Sequence, residues 1–435
     1  MASLLAIPLA AQTDLGNLSS YQGPGVASPG VGNIGMASGQ EVELRYWAGI
    51  SGIYDTNFQP LVTDSKGNLI HVPDLLGTAI NAGAYGSHGW RHSKLALSYN
   101  GDYRYYTNVS GYNGTNQALT LGYTAQATSR IVFDARLSGY SLLYSGGFVP
   151  NAVAEQGQGS SVAVFDTRNE AVTGSASMSY VQSPRTSYTF GGSASDFVYQ
   201  SNILTDYTTY AGNASFLHRV SLSNSLGAVY TYMYQSATNG SFNLTGNTFA
   251  GQYAANLGKY WTLNITAGAT ITQIHQTTTL VLNPLLGALL GTPSLILAYN
   301  SSAVYPSGRA ELRREFSHGV VFANFTQAVG GGNGIAMGTR TQYARGGVSY
   351  TGIRKWNFGA DGNYSALLGI GLGEGNTKVY GGGTGFTYEM FRYVHLMARV
   401  DLLHYDNSGY VGRRTTERAV VGLSFTPKEI PLSLW

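Results

Sequence analysis

Four side chains late in the chain, His395, Arg399, Asp401 and His404, are of the types that an acid–base site uses. In an extended segment, successive side chains point to opposite faces. His404 therefore points away from the other three, and His395, Arg399 and Asp401 are expected to form part of a polar wall rather than a catalytic set. Glu311, Arg313 and Glu315 could suggest paired carboxylate ligands for a metal. Alternating charge on one strand face is more simply an ion-pair ladder. Gly371-Leu372-Gly373-Glu374-Gly375 looks like a phosphate-cradling loop, but no helical pattern follows to supply the N-terminus that such a cradle needs. No Gly-x-Ser-x-Gly elbow is present, and the absence of cysteine removes thiolate and disulfide chemistry. The expectation is a protein that is not an enzyme and carries no cofactor and no metal.

The elements that would position these residues are strands. Between Trp261 and Ile271 every odd position is apolar and every even position is polar or glycine. Similar alternation recurs along most of the chain, broken by short turns that carry Arg91, Arg130, Arg185, Arg219, Lys259, His318, Arg354 and Arg392. Between successive basic turns there is room for two strands of about ten residues and a connecting loop. This is the pattern of a transmembrane antiparallel β-barrel of about 18 strands, with 16 as the alternative. Composition agrees: charged residues are 11%, hydrophobic residues 43%, and the chain holds 58 Gly and 32 Tyr. A mean hydropathy of -0.06 excludes a bundle of membrane helices. It suits a barrel, in which lipid-facing and lumen-facing residues average out. The formal net charge of +3 is too small to imply a nucleic-acid partner.

Ionised side chains are costly on a lipid face, by up to ~2–4 kcal/mol at mid-bilayer, so they identify the lumen. On that basis Arg45 shares the inner face of the first strand with Trp47 and Ser51, while Tyr46, Ala48 and Ile50 face lipid. Asp102 and Arg104 oppose Leu95, Tyr99 and Tyr103, and Asp134 and Arg136 oppose Phe133 and Leu137. Further along, Arg309, Glu311 and Arg313, then Asp361, then Arg399 and Asp401, and finally Arg418 complete the candidate pore lining. Both signs are mixed, which predicts weak ion selectivity. Parity is ambiguous around Arg345 and through the glycine-rich stretch from Lys378 to Met390, where a β-bulge could reset it.

Residues 1–11 resemble the remnant of a secretory signal peptide. Residues 12–40 are rich in Gly, Ser and Pro and read as a flexible lead-in. The barrel is expected over residues 41–427, closing near Phe425, because Pro427 and Pro431 cannot donate to a ladder. Residues 428–435 are expected to be a tail. Three loops should be long, over residues 57–76, 145–171 and 275–307. The last contains an apolar run from Leu280 to Leu290, which either folds against the mouth or lumen and narrows the pore, touches lipid, or packs on itself as a small loop cluster.

The end of the first strand reads Ala48-Gly49-Ile50-Ser51-Gly52-Ile53-Tyr54-Asp55-Thr56-Asn57-Phe58. It resembles the opening of bacterial outer-membrane β-barrel porin families associated with exopolysaccharide secretion, whose first strand ends in Tyr-Asp-(Ser/Thr)-Asn. The resemblance implies an outer-membrane channel, either a passive porin or an exit pore for secreted polysaccharide. The implied partners are outer-membrane lipid, lipopolysaccharide and the periplasmic components of polysaccharide export. A different class is also open: a structural or adhesive surface protein whose barrel anchors functional extracellular loops.

Overall fold

The computed structural model describes residues 44–58, 72–107, 112–143, 168–201, 204–281, 292–331, 334, 337–371, 375–408 and 412–427. The expected leader and lead-in, the tail 428–435, the side chain of Arg45 and most of the long-loop residues lie outside them.

Alternating segments become strands because each can bury one face and leave the other in lipid. The first six are β1 (Arg45–Phe58), β2 (Val72–Gly89), β3 (Ser93–Tyr106), β4 (Gly114–Gln126), β5 (Ile131–Leu142) and β6 (Asn169–Ser183). The next six are β7 (Thr186–Tyr199), β8 (Tyr207–Arg219), β9 (Asn224–Ala237), β10 (Phe242–Leu257), β11 (Trp261–Val281) and β12 (Ser294–Phe316). The last six are β13 (Gly319–Gly331), β14 (Gly338–Tyr350), β15 (Trp356–Gly369), β16 (Asn376–Phe391), β17 (Val394–Ser408) and β18 (Gly412–Phe425). Each pairs antiparallel with its sequence neighbours, and β1 pairs with β18 from Ala48↔Phe425 to Asp55↔Arg418. The sheet closes into an 18-stranded barrel. Closure satisfies the backbone donors and acceptors that a sheet edge would expose to lipid.

The outer surface is an apolar belt. Ile50, Tyr99, Leu137, Leu226, Phe249, Ile271, Val400 and Leu423 all face outward and are exposed. Where the basic turns meet the belt, Trp356 stacks on Phe358 at 5.5 Å and packs at a tilt against Tyr388 at 4.6 Å. The Arg314 guanidinium lies 5.2 Å from the Trp261 ring. Aromatic rings beside cations at one rim suit a membrane interface. The chain is therefore a transmembrane barrel of the outer-membrane type, and its place is the bacterial outer membrane. All eight basic positions read from the sequence lie in or beside the short turns, at the rim that also holds both ends of the barrel.

Both ambiguous stretches have definite faces. Arg345 points into the lumen from β14, whose pairings run without a shift on either side. On β16 a register irregularity occurs between Glu389 and Phe391, beside the turn, so the glycines keep one parity.

The expected loop over residues 275–307 is overturned. β11 continues to Val281 and β12 begins at Ser294, with His275↔Asn300, Thr277↔Ala298 and Leu280↔Leu295 in register. The three consecutive threonines 277–279 and the Leu295-Ile296-Leu297 run are good strand formers, and the two arms zip into a hairpin beyond the belt. Leu280 is a strand residue, and residues 282–291 lie outside the described residues.

Candidate functional site

The lumen wall is built from inward-facing positions, and many of its charges are paired. At the closure of β1 on β18, Asp55 is 1% exposed. Its carboxylate accepts the Tyr106 hydroxyl at 2.7 Å and the Nε of Arg418, and lies 3.9 Å from Nη1 of Arg104. Arg104 Nε also donates to Asp102 at 2.7 Å, and Asn116 Nδ2 donates to the same carboxylate at 3.0 Å. Four strands, β1, β3, β4 and β18, are tied together here by charge-assisted bonds.

The same motif residues fasten the neighbouring backbone. Asn57 adopts a positive φ of 52° and its Nδ2 donates to the Thr415 carbonyl at 2.6 Å. Thr56 Oγ1 accepts the Glu417 amide at 2.8 Å, and the Tyr54 hydroxyl donates to Asp74 at 3.3 Å. The Tyr-Asp-Thr-Asn sequence therefore stitches β1 to β18 and β2. Its local work is barrel closure.

A second network lies on β14, β15 and β17. Asp361 takes Arg345 Nη2 at 3.3 Å and Arg399 Nη2 at 3.0 Å, and Arg399 Nε donates to Asp401 at 2.8 Å. Gly383 sits between Asp361 and Asp401 in register. A Cβ there would strike the Asp401 carboxylate and the Arg399 guanidinium, so glycine makes room for the cation to lie flat on the wall. A third group on β12 is more open: Arg309 meets Glu311 at 3.6 Å and Arg313 meets Glu315 at 2.8 Å. Asp134 accepts the Thr124 hydroxyl at 2.8 Å, with Arg136 on the same face of β5.

The structure thus brings together Asp102, Arg104 and Arg418, and separately Asp361, Arg399 and Asp401. Arg309, Glu311 and Arg313 stay apart from both, as do Asp134 and Arg136. Asp55, Tyr106 and Arg345 were missed as wall residues. For Asp55 the signal was its parity with Ser51, whereas Arg345 shares parity with aromatic Tyr343 and could not be assigned locally. On the opposite face, His404 Nδ1 meets Thr415 Oγ1 at 2.9 Å, remote from His395 and Asp401. Among the described residues no cluster of three His, Cys, Asp or Glu could hold a metal ion.

The loop end of the lumen departs from the expected polar lining. On β5 to β11 the inward positions nearest that rim carry Tyr140, Leu142, Phe197, Tyr207, Phe242, Leu244 and Ile274, all buried in one apolar cluster. Gly334 and Met337, between β13 and β14, join it. Gly334, at φ +81°, carries its carbonyl to the amide of Thr205 at 2.9 Å. A Cβ at Gly334 would meet Tyr199 at 2.9 Å and Leu204 at 3.0 Å, so only glycine fits in both conformation and space. Gln235, 0% exposed, donates to the Met337 carbonyl at 2.8 Å. Gly334 and Met337, which follow β13, are thus anchored against β7, the residues just before β8, and β9, none of which is a barrel neighbour of β13. An apolar collar narrows this end of the lumen. The signal in the sequence was Phe197-Val198-Tyr199, where alternation lapses at a strand end.

No family model matches the chain, and no curated protein matches it. Among solved structures it is similar to OccK2 (OpdF) of Pseudomonas aeruginosa, at 10% identity and a TM-score of 0.42, covering 89% of this chain and 99% of that one. It is also similar to the ferric citrate transporter FecA in the unliganded form, at 11% identity and a TM-score of 0.43, covering 86% of this chain. The chain spans 62% of that transporter's length. No residue, cargo or transport direction carries over at these values.

Proposed function

We propose that the chain is an outer-membrane channel with an aqueous, weakly selective lumen restricted at its loop end by the apolar collar. The observation that carries this reading is the closed barrel whose inner wall bears half-exposed ion pairs, such as Arg309 with Glu311 at 43% and 37% exposure. Such pairs need water around them, because desolvated charges are costly unless fully compensated. Nearly balanced signs along the wall favour passage of small polar solutes of either charge over a strict filter. Planar-bilayer recording of the purified barrel should give discrete conductance steps with a reversal potential near zero in a salt gradient. Silence under these conditions would favour a barrel that only anchors surface loops.

A narrower reading makes the chain an exit pore for secreted polysaccharide, working with periplasmic export components. The Tyr54-Asp55-Thr56-Asn57 resemblance supports it. Because these residues work in barrel closure, they speak for a kind of barrel more than for a cargo. A deletion strain that secretes normal polysaccharide would remove this reading while leaving the channel intact.

A further inference from the structure

We propose that the barrel wall has a side door between β12 and β13, through which the hydrocarbon chain of an amphiphile passes between the outer lipid leaflet and the apolar collar. The door goes beyond the channel reading and does not require polar solutes to cross the lumen.

The register places it. β12 pairs with β11 along Ser294–Arg314, but its ladder with β13 covers only Phe316↔Gly319 to Gly308↔Gln327. Above that pair, β13 continues against β14 as far as Gly331↔Gly338, while among the described residues β12 continues against β11 alone. The two strands part inside the apolar belt. Gly308 is level with Ala267, and lipid-facing Ile271 and Val304 lie level with each other above it. From Gly308 to Val304 is four residues, or about 10 Å of height for a tilted strand.

Pro306 explains why the ladder stops. It lies two residues above Gly308 and has no amide hydrogen to give. In place of a backbone bond, the Gln327 side chain donates to the Pro306 carbonyl at 2.8 Å. A single side-chain bond is a weaker closure than a ladder. Val304, on the outer face of the parted stretch, is 65% exposed.

Behind the parting the wall is apolar. Tyr305 points inward and packs on the collar. Val329 shares the parity of lipid-facing Phe325, yet is 6% exposed and belongs to the collar. The end of β13 is drawn inward by the anchoring of Gly334 and Met337. An alkyl chain sliding between Val304 and Val329 would stay in contact with apolar side chains from lipid to collar. The polar head could remain in the lumen or at the rim, where water is available. The ligand class is therefore a single-chain amphiphile.

The test uses the full-length barrel in phosphatidylcholine vesicles, with a long-chain fatty acid bearing a terminal diazirine as the probe. After photolysis, labelled residues are located by mass spectrometry. Label on Phe242, Ile274 or Tyr305 is expected in addition to label on the belt, and label confined to belt residues such as Ile271 and Val304 overturns the proposal. The chain has no cysteine, so Ser307→Cys with Ala328→Cys forms a clean lock, at positions the ladder would pair next if it continued. Oxidation of that pair should abolish collar labelling, and reduction should restore it. Pro306→Val, which returns the missing donor, needs no crosslink and should lower collar labelling on its own. Collar labelling that persists in both variants means the probe arrives through the lumen, and the side door is wrong. Ion conductance of the locked barrel, recorded in parallel, tests the channel reading separately and should be unchanged.

Discussion

Replacing Asp55 by alanine is the most direct probe of how the barrel closes. The carboxylate is buried and receives Tyr106 and Arg418 directly, with Arg104 at 3.9 Å. Removing one partner of a buried ion pair costs about 3–5 kcal/mol, because the remaining charge is left uncompensated. Arg104 keeps Asp102 at 2.7 Å, which points to the lower end, about 3 kcal/mol. Glu311→Gln is the matched control, since its partner Arg309 is half-exposed and such pairs contribute about 0–1 kcal/mol. Urea unfolding in vesicles, followed by the shift between folded and unfolded bands on semi-native gels, reads both. Asp55→Leu combined with Arg418→Met should recover much of the loss, since apolar replacement of a buried pair is often neutral. The latch would be refuted if Asp55→Ala and Glu311→Gln unfolded at the same urea concentration.

Four other perturbations separate the parts of the lumen. Gln235→Ala removes the bond to the Met337 carbonyl and should loosen the collar, raising single-channel conductance or adding flicker; an unchanged trace would mean that the collar does not limit flow. Arg399→Ala leaves Asp361 and Asp401 facing the lumen with one cation fewer, so the reversal potential should move toward cation selectivity. A move toward anions would contradict the assignment of that wall. Gly383→Val should displace the Arg399 guanidinium and shift selectivity in the same direction at unchanged Arg content. Tyr106→Phe removes one hydrogen bond to a buried carboxylate and should cost about 1.5–3 kcal/mol in the same urea assay.

Much of the barrel was legible because a strand's period is two and charges avoid lipid. Arg399 and Asp401 opposite Leu396 and Val400, or Asp134 and Arg136 opposite Phe133 and Leu137, left one choice of inner face. The basic turns were equally plain, since they interrupt the alternation again and again along the chain. Arg345 failed for a local reason: aromatic and basic residues shared its parity, and only Asp361 on the neighbouring strand decided its face. The segment 275–307 failed because an apolar, β-branched stretch beyond the membrane reads as a collapsed loop until a second such stretch is known to pair with it.

The sequence by itself determined the class of molecule, the strand number to within two, the lipid-facing and lumen-facing sides of most strands and the rim that carries the turns. These follow from periodicity and from the cost of charge in hydrocarbon, which act residue by residue. Which charges meet was decided by register, as when Asp55 receives Arg418 from the far end of the chain. The apolar collar, the inward anchoring of Gly334 and the parting of β12 from β13 at Pro306 were likewise decided by the closed barrel. Each depends on contacts between strands that are neighbours only after closure or that face each other across the lumen. No pattern along one strand encodes what stands opposite it.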